Sequence, residues 1–153
     1  SRGSWYLHSW KGDQAKSGGI ATNIGVHFFD MLHFIFGKLQ QNIVHLNQPN
    51  KAAGYLEYEH ARVRWFLSID IDDVPHEQRI IGNRTFRSLK VDNEFVEFSK
   101  GFTDLHKLSY QQILLGNGFV LEDNRIAIET VSAIREMELS GRGEVHPFAN
   151  QYL

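Results

Sequence analysis

Asn23, His27 and Asp30 are the residues of this chain whose types and spacing could do chemistry together. At about 100° per residue they fall within an arc of about 60° on one side of a helix. An imidazole titrates near neutrality and serves as a general acid or base. An amide beside it binds hydroxyls, and a nearby carboxylate orients a ring or caps backbone. A histidine on a helix is as readily structural, so the trio alone leaves both roles open. Lys11 and Lys16, with Asp13 and Ser17, sit in a polar loop that leads through glycines into the same helix. That is a setting for an anion, although solvated lysines explain it equally. Asp70, Asp72 and Asp73 with His76 and Glu77 form an oxygen-rich run of the kind hard cations use. The spacing fits no recognised metal loop, and an exposed turn explains it more simply. The 8 histidines show no HxxxH pairing and the chain has no cysteine, which argues against zinc and excludes disulfides, thiolate ligands and a cysteine nucleophile. No metal site is assigned. Asn83-Arg84-Thr85 is a glycosylation sequon with meaning only in a secreted chain. No GxGxxG or phosphate-loop pattern occurs, so nothing here binds a nucleotide by a known fingerprint.

The stretch that must position the trio is GGIATNIGVHFFDMLHFIFG, Gly18 to Gly37. Ile20, Ile24, Phe28, Met31 and Ile35 form one apolar stripe, and Ala21, Gly25, Phe29, Leu32 and Phe36 a second beside it. A helix apolar over that much of its circumference is expected in an interior, with Gly37 as its C-terminal cap. Residues 3–10 alternate aromatic and small or polar types and predict a short strand. Further strands are predicted over 42–47, 53–60 and 61–71, the last two as a hairpin. Val63, Trp65, Leu67, Ile69 and Ile71 would share one face of that last strand. Residues 72–83 read as an excursion. Residues 85–91 and 94–99 flank Asp92-Asn93, a pair suited to a two-residue hairpin turn. Helices are predicted over 105–115 and 122–139, the second with Ala127, Val131, Ile134 and Met137 as its stripe. The tail reads as irregular. This order predicts an α+β fold: an open, mainly antiparallel sheet with helices packed on one face. The polar-aromatic strand face of Arg62, Arg64 and Phe66 is expected to meet a partner subunit.

The length implies one domain with enough chain to bury a core unaided. A net charge of -2 argues against a nucleic-acid surface. No apolar run is long enough to span a bilayer, and no signal-peptide pattern is present. These features are compatible with a cytoplasmic protein. A first residue of Ser rather than Met is read as the start of a fragment or processed chain.

The helix and its flanks resemble the opening of the C-terminal domain of the glucose–fructose oxidoreductase/inositol dehydrogenase (Gfo/Idh/MocA) family. RGSWYLHSWKGDQAKSGG, TFRSLKVDNEFVEFSKGFTDLHKLSYQQILLGNGF and LEDNRIAIETVSAIRE are similar to the branch that oxidises UDP-N-acetylglucosaminuronic acid at C3, in lipopolysaccharide and O-antigen sugar synthesis. The resemblance runs from about residue 2 to 140. It implies that residues 1–153 are a substrate-binding and oligomerisation domain. The family's N-terminal Rossmann domain, with its NAD(P) fingerprint and catalytic lysine, would lie outside this chain. The cofactor would be held there, and the 153-residue piece alone would be inactive. His27 matches the catalytic histidine, helping remove a sugar hydroxyl proton while hydride passes to the nicotinamide. Asn23 stands where many relatives have Asp, which implies hydrogen bonding to the sugar. Asp30 implies support. Lys11, with Trp10 and Ser17, falls on the substrate-facing loop, where a cation suits a uronate or diphosphate. The loop from Gly116 to Phe119 would border the site. The implied partners are a nucleotide sugar, the Rossmann domain and further copies of the chain through the sheet face, with no nucleic acid and no membrane. The alternative is a non-catalytic dimerisation or sugar-binding module of the same fold. A metal hydrolase built on the acidic run is a third reading.

Overall fold

Three antiparallel strands, β1 (Leu39–Asn47), β2 (Lys51–Tyr58) and β3 (Arg62–Ser68), lie in the order β1-β2-β3 and frame the protein. The computed structural model describes residues 5–100 and 104–153. Both connections are tight. Gln48 N–H donates to the Lys51 carbonyl, and Tyr58 N–H donates to the Ala61 carbonyl, each at 2.8 Å. Alternation on β3 is as the sequence predicts: Val63, Trp65 and Leu67 join the helical side, while Phe66 joins the other. β2 is buried along nearly its whole length because both of its faces are covered.

The helical layer consists of α3 (Val26–Phe36), with the turns before it, and α6 (Leu121–Glu136). Ile20, Phe29 and Leu32 meet Val44, Leu56 and Trp65 of the sheet and Val131 and Ile134 of α6. Phe29 stands edge-on to Trp65, with ring centroids 5.2 Å apart. The expected interior position holds for one stripe of the helix. Ala21, Gly25, Phe29 and Leu32 are buried, whereas Ile24, Phe28 and Met31 are half-buried, and Phe34 and Ile35 are exposed. α6 ends at Glu136, so Met137 is extended and outside the buried stripe. Thr130 fills that stripe instead, its hydroxyl donating to the Ile126 carbonyl at 2.8 Å. Beyond the helix the sheet captures the chain: Ser140 N–H donates to the Val44 carbonyl at 2.9 Å.

The tail is not irregular. A 3-10 helix, Pro147–Tyr152, lies on the far face of the sheet. Phe66 stacks against His146 and Tyr152, with centroids 5.8 and 6.2 Å away. Ala149 is buried with Leu46 and Ala53. Around Phe66 the chain's own tail therefore covers part of the face expected to meet a partner subunit. Arg62 and Arg64 remain exposed.

Elsewhere the strand expected over residues 3–10 is replaced by α1 (Trp5–His8) and a 3-10 turn, Trp10–Gly12. Residues 3 and 4 lie outside the described residues. Ser9 explains the change: its hydroxyl donates to the Tyr6 carbonyl at 2.8 Å and accepts Lys11 N–H at 3.3 Å, closing a turn. The excursion after β3 contains a short helix, α4 (His76–Ile80), entered through Pro75. β4 (Ser88–Val91) and β5 (Glu94–Glu97) form the expected hairpin, with Asp92 left-handed at φ 51, but as a separate two-stranded sheet. α5 (Leu105–Leu114) also forms as expected and is exposed along its length. The class is α+β, with antiparallel strands and helices.

Candidate active site

Two capped turns deliver the chain to the helix. Asp13 opens α2 (Gln14–Ser17), its carboxylate accepting the N–H groups of Ala15 and Lys16 at 3.1 and 3.3 Å. Gly18 closes it in the left-handed conformation, φ 74, and Gly19 follows at φ 80. A Cβ on Gly18 would stand 2.6 Å from the Thr22 hydroxyl, so glycine is required there twice over. Residues 19–36 are then helical without a break, π-helical over Ala21–Gly25 and α-helical through α3. Such π-turns mark functional sites frequently. Gly25 ends this one, and a Cβ there would lie 2.7 Å from the Phe29 ring and 2.9 Å from Leu67. The helix thus rests directly on β3.

The π-turn gives each member of the polar trio a different situation. Asn23 leans back over the loop, its amide nitrogen donating to the carbonyls of Gly19 at 3.1 Å and Ser17 at 3.4 Å. Carbonyls only accept, so the orientation of the amide is fixed and its oxygen is left to receive a donor. His27 is exposed at the second position of α3. Asp30 is half-buried, and no hydrogen bond joins it to His27 among the described residues. The implied support of the ring by Asp30 has no contact behind it here.

In the preceding loop, Lys11 lies beside two indoles, its ammonium 5.9 Å from the Trp5 ring centroid and 5.8 Å from that of Trp10. Among the described residues no carboxylate pairs with it. Lys16 differs, pairing with Asp13 at 3.5 Å. Ser17 is buried, and its hydroxyl accepts Gly19 N–H at 3.1 Å. Its visible work is to shape the glycine loop rather than to face a substrate. The Gly116 to Phe119 loop is exposed, and no hydrogen bond ties it to the helix among the described residues. Trp5 was missed by sequence reasoning, since nothing in the spacing shows that α1 folds back beside Lys11.

The acidic run is not a free exposed turn. Lys51 Nζ reaches Asp70 at 3.0 Å and bonds Asp73, while Asp72 pairs with Arg79 at 3.1 Å. Asp73 also accepts the hydroxyls of Ser68 and Tyr152. Lys51 stands 4.7 Å from the Tyr152 ring centroid. Burial alone would lower the Lys51 pKa, but the bonds to Asp73, Asp70 and Tyr152 outweigh it and raise the pKa above the usual lysine value. Asp73 is subject to burial in the upward direction, which the bonds from Lys51, Ser68 and Tyr152 overcome, leaving it lowered. Asp70 is lowered by the Asp72 backbone N–H and then by Lys51. Of these carboxylates Asp73 pins the tail through Tyr152, while Asp70 and Asp72 are held by Lys51 and Arg79. Among the described residues no cluster of metal-ligating side chains occurs.

Beside the helix, Ile24 and Phe28 form one wall of a cavity of about 240 Å³ that also touches β3 and residues 85–89. Its lining includes His146, whose pKa is pushed down to about 4 by burial and by the charge of Arg64.

A family model described as the oxidoreductase family, C-terminal alpha/beta domain, matches residues 1–84. The chain belongs to this family. Two solved structures of the WlbA (WbpB) dehydrogenase from Thermus thermophilus are similar to it over 97% of its length. The one in complex with NAD and alpha-ketoglutarate is 53% identical, with a TM-score of 0.92. The one in complex with NAD and UDP-GlcNAcA is 51% identical, with a TM-score of 0.91. The match covers 48% of each of those chains, so this chain spans about half the length of its solved relatives. Within the Gfo/Idh/MocA domain, the glycine loop leads into one continuous helix that carries the π-turn and His27. No helix among the described residues is long and apolar enough to cross a membrane.

Proposed function

We propose that this chain is the substrate-binding half of an NAD-dependent dehydrogenase that oxidises UDP-N-acetylglucosaminuronic acid at C3. The observation that carries the reading is the 51% identity to a dehydrogenase that binds NAD and UDP-GlcNAcA, joined to an exposed His27 at the end of a π-turn. Oxidising a secondary hydroxyl to a ketone releases the proton on its oxygen, and in this reading His27 takes it. The free amide oxygen of Asn23 accepts a neighbouring sugar hydroxyl. Lys11, steadied by Trp5 and Trp10, meets the uronate or the diphosphate.

The described residues do not fit a dinucleotide site. The sheet is antiparallel, and the N–H groups of Gly18 and Gly19 are already given to Gln14 and to the Ser17 hydroxyl. On this reading NAD(P) is held mainly by a Rossmann domain outside this chain, and no hydride step is assigned to these residues. The pathway context is lipopolysaccharide or O-antigen sugar synthesis in the cytoplasm.

The test is His27→Asn in a protein that carries the cofactor domain. Turnover of UDP-N-acetylglucosaminuronic acid is expected to fall at least about 100-fold with little change in KM. The 153-residue chain alone is expected to reduce no NAD. Unchanged turnover in the variant would transfer the case to a non-catalytic module.

A further inference from the structure

Asn117-Gly118 is the one asparagine–glycine step in the 153 residues; every other asparagine precedes a residue with a side chain. It lies just beyond α5, where the chain closes the helix with a Schellman turn. Gly116 is left-handed at φ 80 and its N–H donates to the Ile113 carbonyl at 3.0 Å, while Asn117 N–H donates to the Gln112 carbonyl at 2.9 Å. Those bonds occupy the backbone nitrogens of Gly116 and Asn117. Gly118 N–H is the first beyond the turn, and it donates to no acceptor among the described residues. Residues 117–120 form no helix or strand, and all are exposed. The Asn117 carboxamide is held by an exposed bond, its Nδ2 donating to Gln112 Oε1 at 3.2 Å, which water replaces at little cost. Asn23 is the contrast: two carbonyls fix its amide, and Ile24 follows it inside the π-turn.

We propose that Asn117 is a site of spontaneous covalent modification, at which the chain deamidates itself through a cyclic imide with Gly118. The Gly118 nitrogen gives its proton to solvent hydroxide and attacks Asn117 Cγ. The N–Cγ bond forms, the Cγ–Nδ2 bond breaks, and ammonia departs with a proton taken from water. Water then opens the ring at either carbonyl, leaving aspartate or its isomer isoaspartate. The sum is carboxamide plus water giving carboxylic acid plus ammonia, with no change of oxidation state. The attack is intramolecular, so its rate follows how often the nitrogen reaches the carboxamide. Glycine has no Cβ to crowd that approach and leaves the backbone free to turn, and the unengaged N–H removes the other restraint. The product bears directly on α5. Its carboxylate stands at the C-terminal end of a helix, where the last carbonyls already carry negative partial charge, and it no longer donates to Gln112. Isoaspartate also routes the backbone through the side chain and lengthens the loop by a carbon. Conversion therefore loosens the last turn of α5 and sets a charge beside the exposed Leu114, Leu115 and Phe119.

The experiment holds the folded 153-residue chain in mildly alkaline buffer made with heavy-oxygen water, then maps its peptides by mass spectrometry. The peptide carrying Asn117 is expected to gain solvent oxygen and divide into aspartate and isoaspartate forms, while the peptide carrying Asn23 keeps its amide. Gly118→Ala tests the route. Gly118 is not at positive φ, and an added Cβ would lie nearest Ile113 Cγ1, at 3.1 Å, on an exposed side chain free to shift. Conversion in that variant is expected to slow at least about tenfold. An Asn117 that keeps its amide in the folded chain while a peptide of residues 112–122 converts overturns the proposal, by showing that the turn protects it. Equal rates in Gly118→Ala and the native chain overturn the cyclic-imide route. Asn117→Asp, followed by hydrogen exchange, is expected to speed exchange at the Leu115 and Gly116 amides, which bond back into the last turn. Unchanged exchange at both overturns the effect on α5.

Discussion

Replacing Lys51 by Met keeps the apolar stem and removes the charge on which the acidic turn depends. The Lys51 and Asp73 side chains are 8% and 7% exposed. Without the ammonium, Asp73 is a buried carboxylate whose remaining donors among the described residues are the hydroxyls of Ser68 and Tyr152. Breaking a buried pair by deleting one partner costs about 3–5 kcal/mol, and the two hydroxyls offset part of that, so a loss of about 3 kcal/mol is expected. The pH dependence should change sign as well. In the native protein Asp70 and Asp73 are lowered. Their contribution is complete above the unfolded carboxylate range and is lost as pH falls through the folded values. In the variant, burial dominates at Asp73 and raises it. The folded state then takes up a proton before the unfolded state does, and stability rises as pH falls from about 7 to about 4.5. Urea denaturation across that range measures both effects. Lys51→Met with Asp73→Asn should recover most of the loss. A cost below about 1 kcal/mol, or a pH slope parallel to the native one, refutes the reasoning.

Two further perturbations probe the tail and the glycine loop. The His146 pKa lies at about 4 in the fold against 6.5 ordinarily, so stability is lost as pH falls from about 6.5 and levels off near 4. The shift sets a ceiling of about 3 kcal/mol, which partial solvation of the ring cuts to about 1–2 kcal/mol. Neutral His146 accepts Phe148 N–H on Nδ1 at 3.2 Å. His146→Asn keeps an acceptor there and should remove this part of the slope in denaturation midpoints; an unchanged slope assigns it elsewhere. Asn23→Asp turns two donated hydrogen bonds into contacts between a carboxylate and the carbonyls of Ser17 and Gly19. A cost of about 1–2 kcal/mol near neutral pH is expected, shrinking at acid pH as the new carboxyl becomes a donor. Thermal melts at the two pH values decide it, and a pH-independent difference would show that the carbonyls play no part.

What the sequence makes legible follows from which forces are local. The Val63–Trp65–Leu67 alternation, the Gly37 stop and the Asp92-Asn93 turn each depend on a few neighbouring residues, and all three are found in the fold. The tail depends on Phe66, Lys51 and Asp73, which are distant in sequence, so GRGEVHPFANQYL reads as irregular until the sheet beneath it is known. The same distance hides Lys51 as the partner of the acidic run and leaves that run looking like an exposed turn. Residues 3–10 mislead for the opposite reason. Alternation of aromatic and polar types satisfies one turn of helix as well as a strand, and the side chain of Ser9 settles the choice.

At the candidate site the divide is finer. His27 and Asn23 were visible as types at a spacing. Their relation was not, because an ideal helical wheel assumes a constant turn and the π segment over Ala21–Gly25 breaks it. That segment lets Asn23 reach back to Ser17 and Gly19 while His27 stays in α-helical register with Asp30. The edge of β3, unpaired among the described residues, is harder still to foresee, since it is made of backbone and has no residue type to announce it. Side-chain chemistry can be read from composition and spacing, whereas the outlook of a strand edge exists only once the register of β2 and β3 decides which carbonyls point outward.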